Sequence, residues 1–594
     1  MVCETTFSSI ELLSWQDQSL SMKRFSLQLL LLLVFISSNA QDKFRFAYPG
    51  GPVDPYKYEI VKSALYSKAA VSSAHPIASK VGAEIMRMGG NAFDAAIATQ
   101  WALAVVYPGA GNIGGGGFLL ARKANGELVG IDYREAAPGK AHRDMYLDAN
   151  GNAQINLSQN GHLASGIPGT VAGLEATMAH AKLKWENLIQ PAIDLAEFGF
   201  VLSDREANSL NTTREAFLKN STKPTAFVKP NMRWRAGDTL VQKELAATLR
   251  RIQLLGAKGF YEGQTAELIV AEMERGKGLI SLDDLKNYKA KLRTPISFDY
   301  KGHQIISFAP PSSGGILLAQ MMKMVQNYPL SDWGFHHPKT VQLMIEAERR
   351  AYADRAEHMG DPDFWKVPVK TLISDAYVAE RMKDYTPDKA GVSSQVKAGF
   401  APQSEETTHL SVMDKDGNMV AVTTTLNGGY GSRTVVGGAG FILNNEMDDF
   451  SIKPGVPNMY GAVGGEANAI APGKRMLSSM TPSLVVKDGK PLVVVGTPGG
   501  TTIPTSVYQT ILNIIDFNMS ALDAVNKPKF HHQWLPDEVY VERDFPEATR
   551  AALTAMGYKL VERSAIGRTE VIKVVNGKKE TAADKRGDDS VAGY

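Results

Sequence analysis

The stretch E-E-T-T-H-L-S-V, residues 405–412, lies where two different kinds of sequence meet. The segment before it, residues 386–406, is polar, contains proline and glycine and has few bulky apolar side chains, which predicts a loop or a disordered connection. The residues after it alternate up to a K-D-G-N turn, and a β-branched and apolar run over residues 419–426 follows. This pattern predicts a β-hairpin closed at Asp416 and Gly417.

The threonine pair Thr407 and Thr408 at the start of this hairpin allows two interpretations. β-Branched residues favour strands, so the pair fits the ordinary opening of a hairpin. If the bond after Glu406 were cut, Thr407 would carry both a hydroxyl nucleophile and a free α-amino group, whose unperturbed pKa of about 8 suits a general base at neutral pH. The stretch alone leaves both interpretations open.

The length of the turn decides which residue lies across from Thr407. A two-residue turn would set Thr407 opposite Leu426. A three-residue turn over residues 415–417, with its glycine in the left-handed conformation, sets Thr407 opposite Thr425 instead. We predict the three-residue turn, because opposite residues have Cβ atoms about 5 Å apart and the two threonine hydroxyls could then hydrogen-bond. Asn427 then lies two residues further along the same face.

Length and composition indicate a large globular protein. The 594 residues exceed one ordinary domain and can bury a sizeable core, and a content of 44% hydrophobic and 21% charged residues is typical of globular chains. A net charge of +2 argues against a nucleic-acid partner. Helical periodicity recurs in the first half with strands between, which predicts a mixed α/β fold.

An apolar run over residues 27–36 has a basic segment before it and small residues after it. This is the pattern of a secretory signal peptide, which we place at residues 22–40, and about ten apolar residues are too few to span a bilayer. A longer signal-anchor is the alternative. Residues 1–21 resemble no targeting sequence, so we interpret them as an upstream extension. We expect translation to start at Met22 and the mature protein to be exported, periplasmic or secreted, without a stable membrane span.

Cysteine and histidine positions argue against thiol and metal chemistry. The single cysteine, Cys3, precedes the mature chain, so disulfides, thiolate metal sites and a cysteine nucleophile are excluded. The pairs His336-His337 and His531-His532 are adjacent in sequence, so their side chains point in different directions and predict no metal site. The sequence also contains no G-x-S-x-G serine motif.

The first half contains two features of possible use to a site. The glycine run over residues 111–118 lacks the Lys-Ser/Thr of a phosphate-binding loop and the spacing of a dinucleotide fingerprint, so we predict that it allows close backbone packing. Arg134 follows a predicted strand and suits either bidentate binding of a substrate carboxylate or a surface ion pair. Helices are predicted over residues 77–88, 92–106, 170–183, 188–198, 242–255, 265–275 and 340–358.

The second half contains three further polar or glycine-rich features. Residues 444–449, N-N-E-M-D-D, suit a solvated turn, a calcium loop or a site for an amine. Ser478 and Ser479 precede a Met-Thr-Pro turn. The segment G-T-P-G-G, residues 496–500, lies between a predicted strand and a helix predicted over residues 506–515. Backbone N–H groups of a Gly-Gly pair at a helix entrance suit an anion or an oxyanion.

Taken in order along the chain, the motifs resemble those of the gamma-glutamyltranspeptidase family over essentially the whole mature sequence. They are G-G-N-A-x-D-A-A at residues 89–96, D-Y-R-E at 132–135, A-S-G-x-P-G-T-V-A-G at 164–173, D-P-D-F at 361–364, T-T-H-x-S-V at 407–412, T-x-T-L-N at 423–427, G-x-I-L-N-N-E-M-D-D-F-S at 440–451, P-G-V-P-N-x-Y-G at 454–461, L-S-S-M-T-P at 477–482 and G-T-P-G-G at 496–500.

This resemblance implies a fold and a processing step. The family consists of N-terminal-nucleophile hydrolases with a four-layer αββα sandwich and two mainly antiparallel central sheets. By resemblance, the precursor is cleaved between Glu406 and Thr407 into a large subunit, residues 41–406, and a small subunit, residues 407–594, which pair as a heterodimer. The resemblance implies no cofactor and no metal.

The resemblance also implies the chemistry. Thr407 attacks the γ-carbonyl of glutathione or a related γ-glutamyl compound, and the amides of Gly499 and Gly500 hold the oxyanion. The γ-glutamyl ester then passes its acyl group to water, an amino acid or a dipeptide. Thr425 resembles the residue whose hydroxyl supports the nucleophile, and Tyr460 resembles a lid residue that covers the pocket.

The charged groups of the glutamyl moiety need donors at one end and acceptors at the other. The residues that match the family at these positions are Arg134, Ser478 and Ser479 for the α-carboxylate, and Asn427, Glu446 and Asp449 for the α-ammonium.

Two other functions stay open beside this one. Some relatives are acylases for glutaryl or cephalosporin side chains, which lack the α-amino group, and the presence of Glu446 and Asp449 favours the glutamyl substrate. The third interpretation is a non-catalytic, exported binding protein that keeps the fold, and the presence of Thr407 argues against it. Residues 428–433 are richer in glycine than the bacterial pattern and contain an arginine, which puts details of the pocket near Asn427 in doubt.

Overall fold

Two seven-stranded antiparallel sheets form the centre of the fold. This computed structural model describes residues 53–230, 232–396, 407–453, 456, 459 and 464–594. In chain order the strands are β1 (Ser63–Tyr66), β2 (Ala70–Ser73), β3 (Gly116–Arg122), β4 (Leu128–Asp132), β5 (Phe200–Val201), β6 (Thr239–Leu240), β7 (Lys291–Leu292), β8 (Ile296–Tyr300), β9 (His303–Ser307), β10 (Thr408–Met413), β11 (Met419–Thr425), β12 (Ser483–Lys487), β13 (Lys490–Gly496), β14 (Phe530–His531), β15 (Val539–Glu542), β16 (Leu560–Arg563), β17 (Glu570–Val575), β18 (Lys578–Ala583) and β19 (Ser590–Gly593). The first large sheet has the order β1-β18-β17-β13-β12-β9-β8, and the second has the order β19-β2-β10-β11-β3-β4-β7.

The helices flank these sheets. They are α1 (Pro76–Arg87), α2 (Ala92–Val106), α3 (Ile155–Gln159), α4 (Thr170–Thr177), α5 (Trp185–Phe198), α6 (Asp204–Asn220), α7 (Lys243–Leu255), α8 (Lys258–Tyr261), α9 (Gly263–Gly276), α10 (Leu282–Asn287), α11 (Gly314–Val325), α12 (Leu330–Trp333), α13 (Pro338–His358), α14 (Val369–Leu372), α15 (Asp375–Arg381), α16 (Thr502–Ile515), α17 (Ala521–Asn526) and α18 (Glu547–Ala555). The predicted helices are present, and the one predicted over residues 170–183 ends early, at Thr177, where a 3₁₀ turn follows.

Each large sheet packs helices on one face and the other sheet on its opposite face. Helices α1 and α2 contact strands β2, β19, β10 and β11 of the second sheet, and α11, α16 and α17 contact strands of the first sheet. Between the sheets, β11 contacts β13, β10 contacts β17, and β2 contacts β18. The predicted four-layer αββα sandwich is confirmed.

The predicted hairpin and its register are confirmed. Strand β10 pairs with β11 so that Thr408 faces Thr424, and the Asp414 N–H donates to the Asn418 carbonyl at 3.2 Å. Gly417 has φ 89°, the left-handed conformation that the three-residue turn requires. Continuing this register by one residue sets Thr407 opposite Thr425.

Every residue of β10 and β11 is buried, because the hairpin lies in an inner layer of the sandwich. The polar positions of the alternating pattern therefore face the other sheet rather than solvent. His409 Nδ1 lies 2.9 Å from Thr423 Oγ1, and Ser411 Oγ donates to the Glu570 carbonyl of the first sheet at 3.1 Å. Burial lowers the pKa of His409 to about 3. Thr407 belongs to this same inward-facing row.

The glycine run packs closely against neighbouring backbone, as predicted. A Cβ atom at Gly114 would lie 2.1 Å from the Ile442 carbonyl oxygen, and one at Gly115 would lie 2.0 Å from the Thr425 carbonyl oxygen. A side chain at Gly114 would push the loop away from Ile442, and one at Gly115 would push it away from the end of β11. The glycines therefore hold the loop against the strand that ends at Thr425.

Several predictions concern residues outside the described part of the chain. These are the upstream extension, the signal peptide over residues 22–40, Glu406 and Tyr460. Within the described ranges, no helix is long and apolar enough to cross a membrane.

Candidate active site

One cavity, with an empty volume of about 320 Å³ that includes its open mouth, brings together most of the predicted site residues. Thr407 lies in it at the start of the hairpin, and Gly500 approaches from the end of the first sheet. Gly499 is adjacent in sequence to Gly500, and Tyr460 is outside the described residues. The cavity is lined by Arg134, Arg355, Thr407, Thr425, Asn427, Glu446, Asp449, Ser478, Ser479, Met480, Gly500, Thr501 and Ile503.

The end of β11 shapes one side of this cavity. Strand β11 stops at Thr425, whose Oγ1 accepts a hydrogen bond from the Asn427 N–H at 2.7 Å. Asn427 has φ 74°, a left-handed conformation that asparagine tolerates better than most residues, and its Nδ2 donates to the Asn445 carbonyl at 3.0 Å. Thr407, Thr425 and Asn427 line the same cavity, which is the shared face expected from the register.

The Gly499-Gly500 pair joins β13 to helix α16. Both glycines have positive φ, 137° and 52°, and the Gly499 carbonyl accepts hydrogen bonds from the N–H and the Oγ1 of Thr502. A Cβ atom at Gly499 would lie 2.5 Å from Thr502 Oγ1, so only glycine fits without a shift. The start of a 14-residue helix carries partial positive charge, which suits a developing oxyanion.

Arg134 is buried in a cluster of carboxylates, so its interpretation as a surface ion pair is wrong. The side chain is 1% exposed, its Nη1 donates to Glu446, and its Nη2 donates to Asp449. Burial alone would lower the pKa of Arg134, but these two carboxylates raise it above its ordinary value, so the guanidinium stays charged. Burial raises the pKa of Glu446, and within the described part of the chain its Oε2 accepts no hydrogen bond.

The donors and acceptors predicted for opposite ends of the glutamyl group lie side by side. Arg134, assigned to the carboxylate, contacts Glu446 and Asp449, assigned to the ammonium. The sequence-based placement at two ends is therefore wrong. An α-carboxylate and an α-ammonium are attached to one carbon atom, so a site for both must bring the two sets of residues together.

The polar segment 444–449 is an interior element, and its interpretation as a solvated turn is wrong. It contains the 3₁₀ helix Glu446–Asp449, and Asn444, Asn445 and Asp448 are buried. Asp448 accepts hydrogen bonds from Ser158 Oγ and from the Met459 N–H, and burial raises its pKa to about 7. Over the ranges that the structure covers, no group of three or more His, Cys, Asp or Glu residues is arranged to hold a metal.

The two serines are held by different partners. Ser478 Oγ accepts from the Met480 N–H at 3.1 Å. Ser479 Oγ accepts from Arg355 Nη2 at 3.1 Å, and Arg355 also lines the cavity. Arg355 was not predicted as a site residue, because it lies in a helix rich in charged residues, a pattern typical of a solvated face. The signal that distinguishes α13 is that its apolar residues cover more than one face, which predicts a buried helix.

The chain resembles known proteins of one family over most of its length. The sequence pattern of the family described as Gamma-glutamyltranspeptidase matches residues 78–594. A protein named glutathione hydrolase proenzyme from Escherichia coli (strain K12) is 47% identical over 553 residues, which cover 91% of this chain and 95% of that one. A solved chain of Helicobacter pylori gamma-glutamyltranspeptidase is 46% identical, with a TM-score of 0.54, and covers 58% of this chain and 97% of its own. A cephalosporin acylase from Bacillus halodurans is 26% identical, with a TM-score of 0.79, and covers 92% and 98%.

Proposed function

This chain belongs to the gamma-glutamyltranspeptidase family, and we propose that it is a self-processing γ-glutamyltransferase and glutathione hydrolase with Thr407 as its nucleophile. The observation that carries the proposal is the shared cavity. Thr407 lines it together with Gly500 and with the Arg134, Glu446 and Asp449 cluster, so a nucleophile, an oxyanion donor and a site for a zwitterion lie together.

In the proposed reaction, the Thr407 hydroxyl oxygen bonds to the γ-carbonyl carbon of the donor, and its proton passes to the α-amino group of the same residue. The N–H groups of Gly499 and Gly500 stabilise the oxyanion. The proton then moves to the leaving amine as the carbon–nitrogen bond breaks, which leaves a γ-glutamyl ester on Thr407. Water converts the ester to glutamate, and an amino acid or dipeptide amine converts it to a new γ-glutamyl amide; both restore the hydroxyl.

The same hydroxyl accounts for maturation. Attack of the Thr407 hydroxyl on the carbonyl carbon of Glu406 breaks the peptide bond, which frees the α-amino group of Thr407 and leaves an ester on its hydroxyl oxygen. Water then hydrolyses that ester, which releases the Glu406 carboxylate and restores the Thr407 hydroxyl. Residues 41–406 and 407–594 then form the large and small subunits of a heterodimer. Export to the periplasm or the medium and the lid role of Tyr460 rest on the sequence alone.

A glutaryl or cephalosporin acylase is the second candidate, and the likeness in fold to the Bacillus halodurans enzyme favours it. A glutaryl group has no α-ammonium. In this chain the Glu446 and Asp449 carboxylates line the cavity, and acceptors of this kind suit a donor that brings an ammonium. Glutathione and other γ-glutamyl compounds are therefore the favoured donors.

Thr407→Ala tests the nucleophile. The purified variant should run as one band of precursor size on a denaturing gel and release no glutamate from glutathione. Alanine has no hydroxyl to attack either carbonyl, and without the cut no new α-amino group is released. The wild type should run as two bands and, with glutathione and a dipeptide, form glutamate and a γ-glutamyl dipeptide. Turnover of a glutaryl amide in preference to glutathione would favour the acylase.

Thr408→Val is the matched control for that variant. Thr408 is the next residue, it is buried, and its Oγ1 has no hydrogen-bond partner among the described residues. Valine has nearly the same shape, so the loss of this unpaired hydroxyl should leave both processing and turnover close to those of the wild type. If Thr407→Ala still ran as two bands, Thr407 would not be the nucleophile of processing and the proposed mechanism would be wrong.

A further inference from the structure

Arg355 is a second guanidinium in the catalytic cavity. It lies near the end of α13, is 7% exposed and lines the cavity with Thr407 and Arg134. Its Nε donates to Ser313 Oγ at 3.1 Å and its Nη2 donates to Ser479 Oγ at 3.1 Å. Across the described ranges these two hydroxyls are its hydrogen-bond partners, and no carboxylate there forms an ion pair with it.

Arg134, in contrast to Arg355, is in contact with carboxylates. It is bound by both carboxylates that line the cavity, Glu446 and Asp449. Two carboxylates and two guanidiniums line the cavity, but both carboxylates bind Arg134, so Arg355 has no ion-pair partner of its own among the described residues. Without Arg355 the cavity would carry an excess of negative charge and would repel an anionic group.

Burial of a guanidinium with hydroxyl partners alone is unfavourable, since hydroxyls replace lost hydration but not the lost counter-ion. Burial lowers the pKa of Arg355, and the positive charge of Arg134 acts in the same direction, while Tyr352 and Asp449 offset this only in part. An anion that enters the cavity would supply the missing counter-ion.

Ser479 connects Arg355 to such an anion. Its Oγ accepts a hydrogen bond from Arg355, so its own hydroxyl hydrogen can be donated to a carboxylate in the cavity. The geometry points to Arg355 as a specificity-determining residue that, with Ser479, supplies the positive charge selecting donors that carry an α-carboxylate. This inference rests on the proposed function and adds to it the residue that balances the carboxylate.

Two donors that differ only in the α-carboxylate test this role. They are the γ-anilide of L-glutamate and the anilide of 4-aminobutyrate, which keeps the amine and lacks the carboxylate. Arg355→Gln should raise KM for the glutamyl anilide by about 10- to 100-fold, the range of one charge-assisted hydrogen bond, and should leave kcat/KM for the aminobutyryl anilide nearly unchanged. Arg355→Lys should recover part of the loss, because it keeps the charge but not the planar fork.

Arg350→Gln is the matched control. Arg350 lies on the same helix and is also buried, but it pairs with Glu346 and Asp384 and does not line the cavity. Its loss should lower the thermal midpoint without changing the ratio of kcat/KM between the two donors. An equal fall for both donors in Arg355→Gln would mean that Arg355 supports the cavity as a whole and not the binding of the α-carboxylate, and would overturn the inference.

The binding of L-glutamate, measured by calorimetry, tests this inference independently of the proposed function. If the wild type turns over neither donor, the proposed function fails, yet glutamate binding that is lost in Arg355→Gln and kept in Arg350→Gln still supports the inference. Glutamate binding that is undiminished in Arg355→Gln would overturn it. A wild type that neither binds glutamate nor turns over a donor would overturn both.

Discussion

At the scale of single residues, the cavity holds paired charges before any substrate is present. Arg134 is 1% exposed, and Glu446 and Asp449 accept its hydrogen bonds. The amino-acid end of a γ-glutamyl donor brings a carboxylate and an ammonium on one carbon atom. When such a ligand binds, its carboxylate can pair with Arg134 and its ammonium with Glu446 and Asp449. These pairs replace the contacts between Arg134 and the two carboxylates, so none of the three side-chain charges is left buried without a partner.

Asp449→Asn should weaken a γ-glutamyl donor about 10- to 100-fold in kcat/KM and a glutaryl donor much less. The change keeps the shape of the side chain and removes the charge, which contributes about 1.5 to 3 kcal/mol in a charge-assisted hydrogen bond to the ammonium. Hydrolysis rates of the paired γ-glutamyl and glutaryl anilides measure this. Asp448→Asn is the control, because Asp448 contacts Ser158 and Met459 and does not line the cavity. Equal losses with both donors would assign Asp449 to the support of Arg134.

At the scale of elements, a structural feature can be predicted from the sequence when the residues that cause it lie close together in the chain. The hairpin register was predictable, since the turn over residues 415–417 and its glycine fix it within a few residues. The burial of segment 444–449 was not, because its partners Ser158 and Arg134 are distant in sequence. The contacts of Arg355 could not be predicted either, since Ser313 and Ser479, which hold its side chain, are also distant in sequence.

The glycine loop before β3 is an element whose fit can be tested. Gly115→Ala should destabilise the fold by about 1 to 3 kcal/mol and lower kcat/KM, because its methyl group would overlap the Thr425 carbonyl, 2.0 Å away, and shift the end of β11. Gly109→Ala is the same substitution in the same segment, and its Cβ would make only an ordinary contact, 3.8 Å from the Tyr430 ring. Thermal midpoints and kcat/KM of the two variants measure the difference. Equal values for both would show that the loop can move without disturbing Thr425.

At the scale of the whole molecule, both large sheets contain strands from before Thr407 and strands from after it. Strand β2 lies between β10 and β19, and β3 pairs with β11. In the first sheet, β1 pairs with β18 and β9 pairs with β12. Residues Pro55–Tyr594 form one compact unit around these ladders. A cut at Thr407 would therefore leave backbone hydrogen bonds joining the two pieces in both sheets.

We therefore expect the processed subunits to stay together under native conditions. The wild type should elute from a sizing column at the same volume as uncut Thr407→Ala, although its denaturing gel shows two bands. Residues 407–594 expressed alone should lack a stable fold, because β10 and β11 would lose their neighbours β2 and β3 and expose unpaired strand edges. Circular dichroism and sizing of that piece, with and without co-expressed residues 41–406, make the comparison. A folded, soluble monomer of residues 407–594 would show that the interleaved strands are not what holds the subunits together.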